Sequence, residues 1–193
     1  IDTWVLKSAC NQLRIWQNHP AVPKPLHISV NLSAKLFLQT NFLAQIDQII
    51  YETKVNPAFV ELEITESVSM EDSVDIKTPL HKNKKRNIRL TMDDFGTGYS
   101  SLSYLHSFPL NTLKIDKSFL NLMQNNRENM GLVPAMIGIA HSMGMRAIAE
   151  GVETSEQLSQ IRDLKCNFAQ GNLFSRPMEA QRMLDLMLTS PQW

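Results

Sequence analysis

The chain has 193 residues, 43% hydrophobic and 20% charged, the balance of a folded domain with a full core rather than of a disordered segment. Its formal net charge of +0 exerts no global pull toward DNA or an anionic membrane, so no DNA partner is expected. Cys10 and Cys166 are too few and too far apart for a disulfide framework, no apolar run is long enough to span a bilayer and no signal peptide is visible; a reducing, cytoplasmic setting is expected, with membrane attachment of a longer parent chain left open.

In chain order, Ile1 to Trp16 is helix-like, with Trp4, Ala9, Leu13 and Trp16 roughly on one face. Nothing resembling a start precedes it, so the chain reads as an interrupted domain. A Pro-rich link, Ala21 to Pro25, leads to a short strand, His27 to Asn31, and Ser33 to Tyr51 then reads as helix. After Pro57, Phe59 to Ile64 is a second strand that runs into Thr65 and Glu66. A charged helical stretch follows, and its run from His81 to Arg86 reads as a solvated helix end before Asn87, a plausible left-handed cap. Ile88 to Asp93 is the third strand, Ser101 to His106 a helical turn and Thr112 to Asp116 the fourth strand. Glu128 to Met143 reads as a helix ended by Gly144, and Arg146 to Glu150 as the fifth strand. Thr154 to Leu164 is a helix, Asn167 to Gln170 a sixth short strand, and Glu179 to Leu188 a last helix opened by Pro177.

Strands alternating with helices predict a parallel sheet with crossover connections. Each strand also ends near a polar residue: Asn31, Glu63, Asp93 with Asp94, Lys114, Glu150 and Gln170. In a (β/α) barrel the carboxyl ends of all strands converge on one mouth, whereas an open doubly wound sheet gathers functional residues near one switch point. Six successive polar strand ends favour the barrel.

The chemistry centres on the run from Thr91 to Ser101, where an apolar strand meets two adjacent carboxylates and then a loop of glycines and hydroxyls. Neighbouring strand residues face opposite sides, so Asp93 and Asp94 can share one side only if the strand is ending. Close carboxylates repel unless a cation sits between them. None of His19, His27, His81, His106 and His141 lies at a strand's carboxyl end, and no Cys pair is at hand, which points away from zinc and toward Mg²⁺ or Mn²⁺ on oxygen ligands. Two such ions bridged by an Asp would form a clamp for in-line attack of water on a phosphodiester. Lys114 would then orient that water or offset transition-state charge; a salt bridge to a strand-end carboxylate is the plainer alternative. Taken alone, Asn31 reads more readily as an Asx turn before a helix, with Ser33 sharing the capping, than as a ligand. Of Glu63 and Glu66, one would face the mouth and the other a helix N-terminus.

Asn31-Leu32-Ser33, Glu63-Ile64-Thr65-Glu66, Asp93 through Ser101, Leu113-Lys114-Ile115-Asp116, Glu150-Gly151-Val152-Glu153-Thr154 and Gln170-Gly171 occur in this order. The set resembles the EAL-domain family, bacterial phosphodiesterases that linearise cyclic di-GMP, over nearly the whole chain. The resemblance implies an α/β fold, a TIM-type (β/α) barrel, with residues 1–193 as a single EAL-type domain. It implies a two-metal site for Mg²⁺ or Mn²⁺ held by Asn31, Glu63, Asp93, Asp94 and Glu150, with Lys114 on the catalytic water and Glu150, Glu153 and Gln170 completing the catalytic set. The loop of Asp94, Phe95, Gly96, Thr97, Gly98, Tyr99, Ser100 and Ser101 would couple metal, substrate and dimer contacts. Cyclic di-GMP as substrate or ligand, a homodimer and further signalling domains in the parent chain are the partners implied.

Three small departures from the family pattern are Asn87 in place of a common Gly, Asn111 in place of a common Asp, and Asn172 in place of a common aromatic residue. The larger one is at the front: the family's two N-terminal strands are absent, among them the one with the Glu-Ala-Leu-x-Arg sequence that names the family, so about six of the barrel's eight strands are expected. Hydrolysis of cyclic di-GMP to linear pGpG is the leading reading. A receptor that binds cyclic di-GMP without cutting it, and a scaffold that signals by dimerisation, are the alternatives.

Overall fold

The structure, a computed structural model, describes residues 1–37, 39, 41–66, 86–98, 105–125 and 131–193. The chain divides into two compact units, one of residues 1–64, 71–89 and 177–193, the other of residues 65–70 and 90–176.

In the first unit, α1 (Asp2–Asn18) packs on α3 (Phe42–Thr53) and on β1 (Ile28–Asn31). β1 pairs in parallel with β2 (Val60–Thr65), Ile28 opposite Val60 and Asn31 opposite Glu63. The buried stripe of α1 is Leu6, Cys10 and Leu13, at helical spacing, while Trp4 is 72% exposed. Of the face expected from the sequence, Leu13 is buried, and Trp4 is the correction. Burial raises the Cys10 thiol to about 11, so this side chain acts as a small apolar one. The single helix expected from Ser33 to Tyr51 is in two pieces, α2 (Ala34–Phe37) and α3. The helix α7 (Ala180–Thr189) closes the chain and starts one residue later than expected.

In the second unit, β3 (Arg89–Phe95, entering from the first unit at Arg89), β4 (Thr112–Ile115), β5 (Arg146–Ala149) and β6 (Phe168–Ala169) pair in that order, each parallel to the next. The intervening helices are α4 (Lys117–Asn125), α5 (Leu132–Ser142) and α6 (Ser155–Asp163). β4 is buried at every position, as expected of a parallel strand covered on both faces. Its Leu113 and Ile115 join Met92, Leu120, Ile137 and Ala147 in one apolar core. The helix α4 was not expected from the sequence, although Leu120 and Met123 supply a buried face and the Asp116 carboxylate accepts the Ser118 N–H at 3.0 Å.

The expected helical stretch carrying the run from His81 to Arg86 lies outside the described residues up to residue 85, as does most of the turn at 101–106. Asn87 does take the left-handed conformation, with φ of 59°. Among the described residues, no helix is long and apolar enough to cross a membrane.

Candidate functional site

β3 presents the Asp93–Asp94 pair by a route the sequence reading did not contain. The strand does not end at the pair; it continues to Phe95, and its pairing with β4 slips between Met92 and Phe95. Asp94 sits in the slip with φ of 54°. Such a bulge inserts a residue into one strand and re-aims its side chains, and Asp is among the few non-glycine residues that tolerate this backbone. The Asp94 N–H donates to Asp93 Oδ1 at 3.0 Å. The expected ending of the strand is thereby corrected: a bulge, and not a terminus, lets adjacent carboxylates approach one another.

Glu150 joins them from the residue after β5, where its N–H donates to the Ile115 carbonyl at 3.0 Å. Ligand oxygens of Asp93, Asp94 and Glu150 lie within 4.8 Å of one another, the one grouping among the described residues that could hold a metal ion. Lys114 rises from the middle of β4 into the same cluster. Its Nζ lies 3.1 Å from Asp93 Oδ1 and 2.5 Å from Glu150 Oε1, with the side chain 4% exposed. Three carboxylates thus face one ammonium. Burial pushes the Asp94 carboxyl above the usual carboxylate range; the neighbouring charges of Asp93 and Asp116 push it further, against the pull of Lys114. An all-oxygen donor set with surplus negative charge fits a hard divalent cation.

The loop after the pair is held by a residue whose role the sequence did not disclose. Glu66, 1% exposed, accepts the N–H of Gly96 at 2.8 Å and that of Gly98 at 3.3 Å. The sequence reading assigned one of Glu63 and Glu66 to a helix N-terminus; nothing local links Glu66 to amides 30 and 32 positions away. Gly96 has φ of 96°, and a Cβ there would come within 2.6–2.8 Å of Met136 and Phe119. Thr97 donates both its N–H and its hydroxyl to the Asp94 carbonyl. Of the expected substrate loop, Phe95 is a buried core residue, and Tyr99, Ser100 and Ser101 lie outside the described residues.

Asn31 and Glu63 form a pair within the first unit. They sit opposite each other in the β1–β2 register, and the Leu32 N–H donates to the Glu63 carbonyl at 2.9 Å. Glu63 is buried and Asn31 exposed. Glu153 and Gln170 are both exposed, on two loops of the second unit that are tied together: the Val152 N–H donates to the Gln170 carbonyl at 3.0 Å.

Parallel β/α units that carry a lysine and an oxygen-donor cluster toward the carboxyl ends of their strands define a class, that of (β/α) barrel domains with room for a divalent cation. Within that class, this chain belongs to the EAL domain family, whose model matches residues 1–177. The signaling protein YkoW of Bacillus subtilis is 34% identical over 191 residues, 99% of this chain and 24% of that protein. The bifunctional diguanylate cyclase/cyclic di-GMP phosphodiesterase MucR of Pseudomonas aeruginosa is 35% identical over 184 residues, 95% of this chain and 27% of that protein. The chain therefore spans about a quarter of the length of these curated relatives. The structure of the MucR phosphodiesterase in complex with c-di-GMP matches with a TM-score of 0.88 and 34% identity, over 94% of this chain and 72% of that one. The EAL domain of Mycobacterium smegmatis DcpA matches with a TM-score of 0.90 and 34% identity, over 98% of this chain and 84% of that one. The fold class is accordingly that of these domains, an incomplete (β/α) barrel of which this chain supplies six parallel strands.

Proposed function

We propose that this chain is the greater part of a single barrel domain that hydrolyses cyclic di-GMP to linear pGpG with Mg²⁺ or Mn²⁺, within a larger cytoplasmic signalling protein. The observation that carries the reading is the Asp93–Asp94–Glu150 cluster with Lys114 buried against it. Membership of a family with relatives named as cyclic di-GMP phosphodiesterases supports the choice of substrate.

Asp93, Asp94 and Glu150 would hold a divalent ion, and the family resemblance alone proposes Asn31 and Glu63 as further ligands. When bound, divalent ions supply Lewis-acid stabilisation of the attacking and leaving oxygens of a phosphodiester. The chain's own part is threefold. The carboxylates would hold the ions and offset their positive charge. Lys114, held between Asp93 and Glu150, donates N–H to the attacking water and orients it. Glu153 and Gln170, on adjoining loops, would complete the polar shell around that water. The loop from Asp94 to Gly98, held by Glu66, would face the substrate phosphate with backbone amides and hydroxyls.

The test is incubation of the intact parent protein with cyclic di-GMP and Mg²⁺ or Mn²⁺, followed by chromatography of the products. Metal-dependent appearance of linear pGpG is expected. Tight cyclic di-GMP binding with no product in either metal overturns the enzyme reading and establishes the receptor.

A further inference from the structure

The loop that leaves β5 carries Glu150 at its start and Glu153 at its end, and it is pinned along its length. The Glu150 N–H donates to Ile115, the Val152 N–H to Gln170, and the Val152 carbonyl accepts the Leu173 N–H at 3.0 Å. The neighbouring loop can lie this close only because position 171 is glycine: a Cβ there would stand 2.1 Å from the Val152 carbonyl oxygen. The far end of the loop is held by a side chain of the following helix. Gln157, 3% exposed, accepts the Glu153 N–H at 2.7 Å and the Thr154 N–H at 3.1 Å on the same Oε1.

Part of this arrangement is helix capping. Thr154 is the N-cap of α6, its hydroxyl accepts the Gln157 N–H, and the Gln157 side chain returns to the Thr154 N–H. A capping box needs nothing more. The bond to Glu153 lies one residue before the cap, has no role in ending the helix, and is the shorter of the two.

We infer that Gln157 is a positioning residue for the Glu150–Glu153 loop, fixing the Glu150 carboxylate where a divalent cation requires it. The inference rests on the metal reading proposed above. Metal sites tolerate ligand displacements of only about 0.2 Å, and partners one layer behind the ligands commonly govern affinity. Gln157 grips the loop from behind, Gly171 allows the adjoining loop to brace it from the side, and the Ile115 carbonyl holds its start. Freed at Glu153, the loop would pivot on Val152 and carry Glu150 out of register with Asp93 and Asp94.

The experiment titrates the full chain with Mn²⁺ alone, by calorimetry and by the Mn²⁺ electron paramagnetic resonance signal, alongside melting curves. Gln157→Ala should weaken Mn²⁺ affinity roughly tenfold or more, the range seen for outer-layer partners of metal ligands. Gln157→Glu keeps the acceptor oxygen and should return affinity to within about threefold of the parent. Thr154→Ala removes the other half of the capping box; it should lower the melting temperature as Gln157→Ala does, yet leave affinity within about twofold. Where Gln157→Ala does not fold, Gln157→Met keeps the buried volume, loses the acceptor and carries the same expectation. Equal weakening by the Thr154 and Gln157 variants, or no weakening by the latter, overturns the inference. Asp93→Asn separates the two levels. If it abolishes Mn²⁺ binding while Gln157→Ala changes nothing, only the positioning role fails. If it leaves binding intact, the metal reading fails and the positioning role with it.

Discussion

Two polar clusters of this chain are built from the same kinds of residue and reach opposite electrostatic ends. Near the amino ends of β1, β2 and β3, the buried Glu61 meets Arg89 at 3.4 Å and His27 at 3.9 Å, and His27 packs edge-on against Phe59. One carboxylate there faces one guanidinium, with an imidazole alongside. Toward the carboxyl ends of β3, β4 and β5, three carboxylates face one lysine. The first cluster closes its own charge and serves the sheet. Among the described residues the second holds more carboxylates than cations, and its Asp94 carboxyl is raised first by burial and then by the neighbouring charges of Asp93 and Asp116. A carboxylate paired with a guanidinium suits a structural role, whereas convergent carboxylate oxygens around one ammonium suit the cation site proposed above.

The largest expected effect falls on Lys114. If the second cluster is catalytic, Lys114→Ala lowers turnover by ~10²-fold or more at similar substrate affinity. A loss of stability with unchanged turnover per folded molecule would make Lys114 a counter-charge like Arg89, and the contrast between the clusters would collapse. Steady-state kinetics on folded protein, quantified by circular dichroism, decides this.

The next effect sharpens the other side. Arg89→Met removes the guanidinium beside the buried Glu61, and denaturant unfolding should show a loss of about 1–2 kcal/mol, short of the full penalty for a buried charge because His27 stays alongside and Arg89 is itself partly exposed. Metal affinity of the folded variant should stay at the parent value. A parallel fall in metal affinity would mean that the balanced cluster is part of the binding machinery.

The smallest effect concerns the surplus itself. Asp94→Asn suits the left-handed backbone and removes one of the repelling charges. Without metal, it should raise stability slightly, by less than ~1 kcal/mol given solvent screening, while lowering Mn²⁺ affinity. Because the Asp94 carboxyl is raised in the folded chain, its contribution to folding is favourable at low pH and is lost as pH rises through that raised value. The advantage of the variant should therefore appear above the carboxylate range and vanish on acidification. Thermal melts across pH in a chelating buffer measure it, and a destabilised variant at neutral pH would contradict the picture of unbalanced charge.

Much of this was written locally in the chain. Apolar runs bounded by Pro, Gly and Asn marked the strands to within a residue or two. The capping signal of Thr154 started α6, Asn87 took its left-handed turn, and the ordered motifs identified the family. These features depend on side-chain period and on neighbours a few positions apart, which a sequence displays directly. Tertiary structure decided what depends on neighbours far along the chain. It chose Leu6, Cys10 and Leu13 over Trp4 as the inner face of α1, because burial follows the fit against α3 and β1 and not the size of the side chain. It set the bulge that joins Asp94 to Asp93, since register is settled by the strand alongside. It carried Glu66 to the amides of Gly96 and Gly98, and it turned Gln157 from an ordinary cap into the anchor of the Glu150 loop. A hydrogen bond or a charge acts through space, and only the folded chain determines which distant atoms come within its reach.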